Sequence, residues 1–322
     1  MGTKLTKEKW NAIDAYVLEG DILKVTALLA PGGKIASIID KRHGLEWLVQ
    51  PHKEVVTDIP EYDYHKYSGF GWDEHFPCLL PSKQPAEGKY KNAELPRAGE
   101  VWVKQWEIDK ISNNTIGFFC NGEVLPYVFS RVISISGEDT LVLSYSVKNT
   151  GEDQFAYIWA VHPYLWCDVG ARILLPPHIK EVLSSVDREN WEADKIYAWP
   201  QAVNRKGQVD MVDSVGPPTN KSHYKFYALP EDAITWTALL RKEPEGYGIK
   251  MDWESELEMY MGFVRDEGMY HPECRVAFEL TNGYYDDLAL AYNNKKVSII
   301  QKGEEHTWKM KLKFSNNIQN II

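Results

Sequence analysis

The stretch Phe155-Ala156-Tyr157-Ile158-Trp159-Ala160-Val161-His162-Pro163-Tyr164 alternates with a period of two, which is the period of a β-strand. Phe155, Tyr157, Trp159 and Val161 share one face and read as packed core. Ala156, Ile158, Ala160 and His162 share the other, where smaller residues rise to one ionisable group with space above it. Pro163 has no N–H to donate, so the ladder is expected to stop there. A lone histidine of this kind is more often structural than catalytic, and a functional reading requires a partner elsewhere in the chain.

The same period recurs on both sides of this stretch. Upstream, Tyr127, Phe129, Ile133 and Ile135 alternate with Val128, Ser130, Val132 and Ser134, and Leu141, Leu143, Tyr145 and Val147 alternate with Val142, Ser144, Ser146 and Lys148. Gly137-Glu138-Asp139 joins these two runs as a hairpin turn, and Asn149-Thr150-Gly151-Glu152 is expected to turn the chain directly into the His162 strand, giving three successive antiparallel strands. Nearer the N-terminus, Asp21 to Leu29 and Lys34 to Asp40 flank Pro31-Gly32-Gly33 and predict another hairpin, the first ordered element after a polar start. At the other end, His306, Trp308, Met310, Leu312 and Phe314 alternate with Thr307, Lys309, Lys311 and Lys313, a strand with one face buried and one solvated. Between these lie two irregular regions. Tyr62 to Pro77 is dense in rings, glycines and acids and reads as a loop or lid, and Leu174 to Asn220 reads as long loops or an insertion. Heptads, helical repeats and a Gly-rich phosphate loop are all missing, since Gly69-Phe70-Gly71 lacks a third glycine and a following helix. The expected fold is therefore a single all-β domain over residues 1–322, a large antiparallel sandwich.

Composition narrows the function classes. Twelve Trp and 18 Tyr suit strands, and they also suit sugar faces, whose C–H groups pack on rings. A net charge of -10 without a Lys/Arg tract argues against nucleic acid as a partner. Cys78, Cys120, Cys167 and Cys274 are scattered, without CxxC spacing, and are expected to be free thiols. No apolar signal core opens the chain and no stretch approaches 18 apolar residues, which predicts a cytoplasmic protein with no membrane association. Met1-Gly2-Thr3-Lys4-Leu5-Thr6 fits the loose myristoylation pattern, but that pattern is too short to carry weight.

The partner for His162 is sought in Cys274-Arg275-Val276-Ala277-Phe278-Glu279-Leu280-Thr281. Cys274, Val276, Phe278 and Leu280 form its apolar face, and Arg275, Ala277, Glu279 and Thr281 share the other. A guanidinium and a carboxylate thus stand about 13 Å apart along one face. A solvated outer face would read the same way.

Taken together, Val161-His162-Pro163-Tyr164-Leu165, the late Phe278-Glu279-Leu280-Thr281 strand, the early Gly32-Gly33-Lys34-Ile35-Ala36-Ser37 hairpin and the terminal Gly303-Glu304-Glu305-His306-Thr307-Trp308 strand resemble aldose 1-epimerases of the galactose mutarotase-like superfamily, in the same order and nearly end to end. The resemblance implies a β-supersandwich that holds a sugar near its anomeric carbon, with Glu279 as general base and His162 as general acid. Glu279 would take the O1 proton while His162 protonates the ring oxygen, and rotation about C1–C2 before reclosure would give the other anomer. No metal, nucleotide or other cofactor is implied, and the expected partner is a small carbohydrate. Trp72 is expected to stack on the sugar, Asp73 or Glu74 to bind its hydroxyls, and Tyr164 and Arg275 to complete the contacts. A metal shared by Asp73, Glu74 and His75 is not expected, because consecutive residues of an extended chain point to alternate sides.

One departure from the family pattern matters. Its usual Pro-Asp-His-Gly-Glu segment stands here as Pro96-Arg97-Ala98-Gly99-Glu100, so Ala98 replaces a second active-site histidine. Arg97, beside it, suggests an acidic sugar, since a guanidinium pairs with carboxylate or phosphate through two parallel hydrogen bonds. A carbohydrate-binding protein without catalysis, or a glycan lyase or hydrolase on the same sandwich, are the alternative readings.

Overall fold

The computed structural model describes residues 2–322, so Met1 of the myristoylation pattern lies outside it. Strands hold 47% of the residues and helices 5%, which leaves no helical layer to cover a sheet face. The sheets must instead cover each other. An antiparallel sheet of 12 strands and one of 8 enclose a continuous core, which takes in Trp72, Trp106, Phe129, Trp159, Phe278 and Trp308. Among the described residues, no helix is long and apolar enough to cross a membrane.

The smaller sheet follows the alternation in the sequence. Tyr127–Ser136 and Thr140–Asn149 form the expected hairpin, and Glu305–Ser315 pairs with the second of them. Trp308, Met310, Leu312 and Phe314 are buried while the lysines between them face outward. The hairpin of Leu23–Leu28 with Ile35–Asp40 also forms, in the larger sheet.

Four local expectations are corrected. Thr140–Asn149 does not continue into a meander with the His162 strand; it pairs only within the smaller sheet, and the chain crosses to the larger one. Order begins earlier than Asp21, with Lys4–Trp10 pairing Ile13–Glu19 at the edge of the larger sheet. The three lysines and one glutamate of Lys4–Trp10 look like a disordered start, but charge is how exposed sheet edges avoid further pairing. Trp72–His75, inside the expected loop, is a central strand between Ile35–Asp40 and Ala160–Trp166. Finally, Pro163 does not end its strand, which runs from Ala160 to Trp166. Pro163 pairs with Trp72 on one side, while on the other the pairing with Cys274–Thr281 lapses between Ala160 and Tyr164. The missing N–H thus interrupts one ladder locally and leaves the strand intact.

That interrupted ladder keeps its register. Ala160 pairs with Thr281 and Tyr164 with Ala277, so His162 lies opposite Glu279 on the face turned away from the core. Adjacent ladders extend the row, with Asp73 beside His162, Gly262 beside Glu279 and Tyr227 beside Gly262. Paired residues of a sheet point to the same face, so five strands place one transverse row of positions there, four with side chains and one a glycine.

Candidate active site

Two members of this row, His162 and Glu279, line a cleft of about 620 Å³, within the range of small-molecule sites. His162 Nε2 meets Glu279 Oε1 at 3.1 Å, and both side chains are almost fully buried. The second carboxylate oxygen of Glu279 accepts from Lys225 and, at 3.4 Å, from the Tyr227 hydroxyl. Lys225 Nζ also reaches Asp286 Oδ1 at 2.7 Å, and Tyr227 donates to the same oxygen at 2.6 Å. One ammonium and one hydroxyl therefore bind two buried carboxylates together.

Alternation explains why these groups converge. In Ser222–Ala228, Tyr224, Phe226 and Ala228 enter the core, which turns Lys225 and Tyr227 to the cleft side. Tyr227 needs the neighbouring strand to have no side chain: a Cβ at Gly262 would stand 2.7 Å from its ring. Asp286 comes from the loop that follows the Glu279 strand.

The electrostatics favour an ionised glutamate. Burial alone would raise the Glu279 carboxyl, but the Lys225 ammonium and the hydrogen bond from His162 outweigh it and hold the group far below the usual carboxylate range. Burial would likewise lower Lys225, and Asp286 and Glu279 reverse this and raise it. The result is a carboxylate that stays charged across ordinary pH, in hydrogen-bond contact with the His162 ring.

The remaining expected site residues separate by face. Trp72 is fully buried in the core and is not available to a sugar. Glu74 is also on the core side, where it accepts from Arg131, the Tyr145 hydroxyl and Trp159 Nε1, each at 2.9 Å, so its expected contact with sugar hydroxyls is corrected too. Asp73 lies on the cleft side but beneath its surface, bound by Lys34, Ser68 and, at 3.1 Å, the Tyr64 hydroxyl. All three misplacements have one cause: Trp72–His75 is a strand between two sheet faces, not a loop presenting every side chain. Tyr164, Arg275 and Arg97 do line the cleft. Arg275 is largely engaged, with Nε and Nη2 on Asp266 Oδ2 at 2.9 Å, Nη1 on the Gly69 carbonyl at 2.6 Å, and its guanidinium 4.2 Å from the Tyr164 ring centre. Arg97 is half-buried on the wall. Ala98, beside it, is buried in the same cluster as Tyr64, Trp102 and Tyr164, at the position where the resemblance has a histidine.

Sequence reasoning missed Lys225, Tyr227 and Asp286. A lysine in the middle of an aromatic strand was the available signal for the first, but nothing local marks Asp286. Among the described residues no three His, Cys, Asp or Glu side chains converge as metal ligands.

No protein-family model matches the sequence, and no curated protein matches it. Solved structures do. A galactose mutarotase-like protein from Clostridium acetobutylicum superposes with a TM-score of 0.70 at 13% identity, covering 97% of this chain and 98% of that one. A galactose mutarotase-like protein from Lactobacillus casei gives 0.68 at 13% identity over 94% of this chain and 100% of that one. A galactose mutarotase related enzyme from Lactobacillus acidophilus gives 0.66 at 13% identity over 94% and 98%. Identities this low speak to architecture alone, and over nearly its whole length this chain has the galactose mutarotase-like fold.

Proposed function

We propose that the cleft binds a monosaccharide and that the protein is an aldose 1-epimerase, with Glu279 as the base at O1 and His162 as the acid at the ring oxygen. The observation that carries this reading is the buried His162–Glu279 contact on the cleft floor. Hemiacetal opening requires an ionised carboxylate that takes the O1 proton and a protonated imidazole that gives one to O5, so no net charge builds up; a bound sugar would part the direct contact and place each group on its own oxygen. A carboxylate oxygen has more than one acceptor position, so the O1 hydroxyl can approach Glu279 while Lys225 keeps its place. Reclosure after rotation about C1–C2 returns both protons, and the enzyme regains its starting state. The likeness of the fold to mutarotase-like proteins supports the same class of substrate.

The test is anomer exchange followed by NMR or polarimetry on a panel of neutral and acidic sugars. Glu279→Gln and His162→Asn should each lower kcat by about 10² to 10⁴ while sugar binding survives. A folded, saturable Glu279→Gln protein that interconverts anomers at the parental rate would refute the assignment. Ala98 supports a second reading, sugar binding without catalysis, for which binding would persist and anomer exchange would stay at the solvent rate in the parent itself. Arg97 on the wall supports an acidic sugar, and Arg97→Gln should then raise KM for galacturonate far more than for galactose.

A further inference from the structure

Asp286 is a buried carboxylate that the reaction proposed above leaves without a task. It comes from the loop after Cys274–Thr281. Its Oδ1 accepts two hydrogen bonds, from Lys225 Nζ at 2.7 Å and from the Tyr227 hydroxyl at 2.6 Å. An oxygen that accepts from an ammonium and a hydroxyl at once acts as an acceptor only, which is the behaviour of an ionised carboxylate. The same two donors also face Glu279 Oε2, the ammonium in direct contact and the hydroxyl at 3.4 Å. A phenol has one proton to give, and the shorter distance commits it to Asp286. Lys225 therefore stands as a cation shared between Glu279 and Asp286. Burial lowers its pKa, and of the two carboxylates that reverse this Asp286 acts the more strongly.

Sharing matters at the moment Glu279 takes a proton. The O1–H bond breaks and its proton goes to Glu279, while the electron pair left on O1 forms the C1=O1 bond. The pair of the C1–O5 bond moves to O5, which takes the proton of His162. Before this exchange the Glu279 carboxylate, the protonated His162, the Lys225 ammonium and the Asp286 carboxylate sum to zero. After it Glu279 and His162 are neutral, and Lys225 and Asp286 still cancel. Without Asp286 the same step would strip the buried ammonium of its counter-ion, because its ion pairs are with Glu279 and Asp286. An uncompensated buried charge is strongly unfavourable, so proton uptake by Glu279 would be resisted and the base weakened.

Resting on the epimerase reading of the cleft, we propose that Asp286 is a positioning residue of the reaction, which keeps the Lys225 ammonium paired while Glu279 holds the O1 proton. It acts through Lys225 and needs no contact with the sugar. A carboxylate that only anchored its loop would serve the fold in the same place, and the two roles differ in what the charge does.

Asp286→Asn separates them, because asparagine keeps an oxygen for Tyr227 and Lys225 and loses the charge. Asp286→Glu keeps the charge. Anomer exchange is followed by NMR on glucose, galactose and galacturonate, with affinity and urea stability measured separately. Asp286→Asn should lower kcat about 10- to 100-fold, a share of what a positioned base is worth, while sugar affinity stays that of the parent. Asp286→Glu should recover much of the loss. In a Lys225→Met background there is no ammonium to keep paired, so adding Asp286→Asn should lower kcat no further. A merely structural role would not produce that dependence on Lys225. Should Asp286→Asn alone fail to fold, the comparison of Lys225→Met with the double variant decides: equal kcat supports the role and a further fall overturns it. A parent that exchanges anomers beside a folded Asp286→Asn protein with the same kcat, or a loss of equal size in both backgrounds, would overturn the role of Asp286 and leave the epimerase reading standing. A parent that leaves anomer exchange at the solvent rate would overturn both.

Discussion

Removing Lys225 tests the charge arrangement around Glu279 without relying on any activity. In the parent, its ammonium touches Glu279 and, at 2.7 Å, Asp286, and all three side chains are buried. Lys225→Met keeps the length of the chain and deletes the cation. Two carboxylates then share the Tyr227 hydroxyl, at 2.6 and 3.4 Å, with His162 on the far oxygen of Glu279. Breaking a buried ion pair from one side costs about 3–5 kcal/mol, so a loss of that size is expected at pH 7. Its pH dependence is the sharper test. In the parent, Glu279 is depressed below its unfolded value, so its contribution is fully present above about pH 4.3 and is lost only as pH falls through its strongly acidic folded value. In the variant, only His162 and the Tyr227 hydroxyl still oppose burial of Glu279, so its carboxyl rises well above its value in the parent, and once it passes the unfolded value the folded state binds an extra proton between the two. Each such proton restores about 1.4 kcal/mol per pH unit as pH falls. Lys225 also helps to depress His75 and His223, and its removal relaxes both in the same direction. Urea unfolding of parent and variant, followed by tryptophan fluorescence at pH 7 and pH 5, measures the difference. The gap should narrow by a kcal/mol or more at pH 5, and Asp286→Asn, which leaves Lys225 one carboxylate, should cost less than Lys225→Met. A gap that is the same at both pH values would refute the reasoning.

Further expectations follow from other neighbourhoods. Burial first, then nearby cations, depress His75 and His223 to about 3 and His271 to about 4; the unfolded chain therefore binds more protons below about pH 6.5, and stability should fall as pH drops from there towards 4, with His271→Phe flattening the slope of urea midpoint against pH. Gly262→Ala would press a methyl group into the Tyr227 ring, and the resulting shift of the Glu279 support should lower kcat/KM for the preferred sugar about 10- to 100-fold, in a protein whose circular dichroism is unchanged. On the core side, Glu74→Leu strands the fully buried Arg131 and should cost about 3–5 kcal/mol by urea unfolding, most of it recovered by adding Arg131→Met.

Period-two alternation carries tertiary information only where a strand has one apolar and one polar face. That was enough to read the hairpin of Tyr127–Ser136 with Thr140–Asn149, the terminal Glu305–Ser315 strand, the all-β architecture, and the face of Cys274–Thr281 that carries Glu279 and Arg275. It also placed His162 on the side away from Trp159. Where both faces are buried the rule loses its contrast. Trp72–His75 has core on one side and cleft on the other, and its charged residues are tolerated because Lys34 and Arg131, from distant parts of the chain, neutralise them. Read locally, the same four residues look like a polar loop. Sheet order is equally nonlocal: nothing between Asn149 and Ala160 says that the chain leaves one sheet for the other, because strand pairing is decided by the total apolar surface that two sheets bury together. The residues that support Glu279 show the limit most clearly. Lys225, Tyr227 and Asp286 become its neighbours only through the register of three adjacent strands and the missing side chain at Gly262, and the stacking of His75 on His162 arises from the unbroken pairing of Trp72–His75 with the strand that carries His162. Residue types and their period are written along the chain, whereas the distances that turn them into acid, base and counter-charge exist only once the sheets have closed.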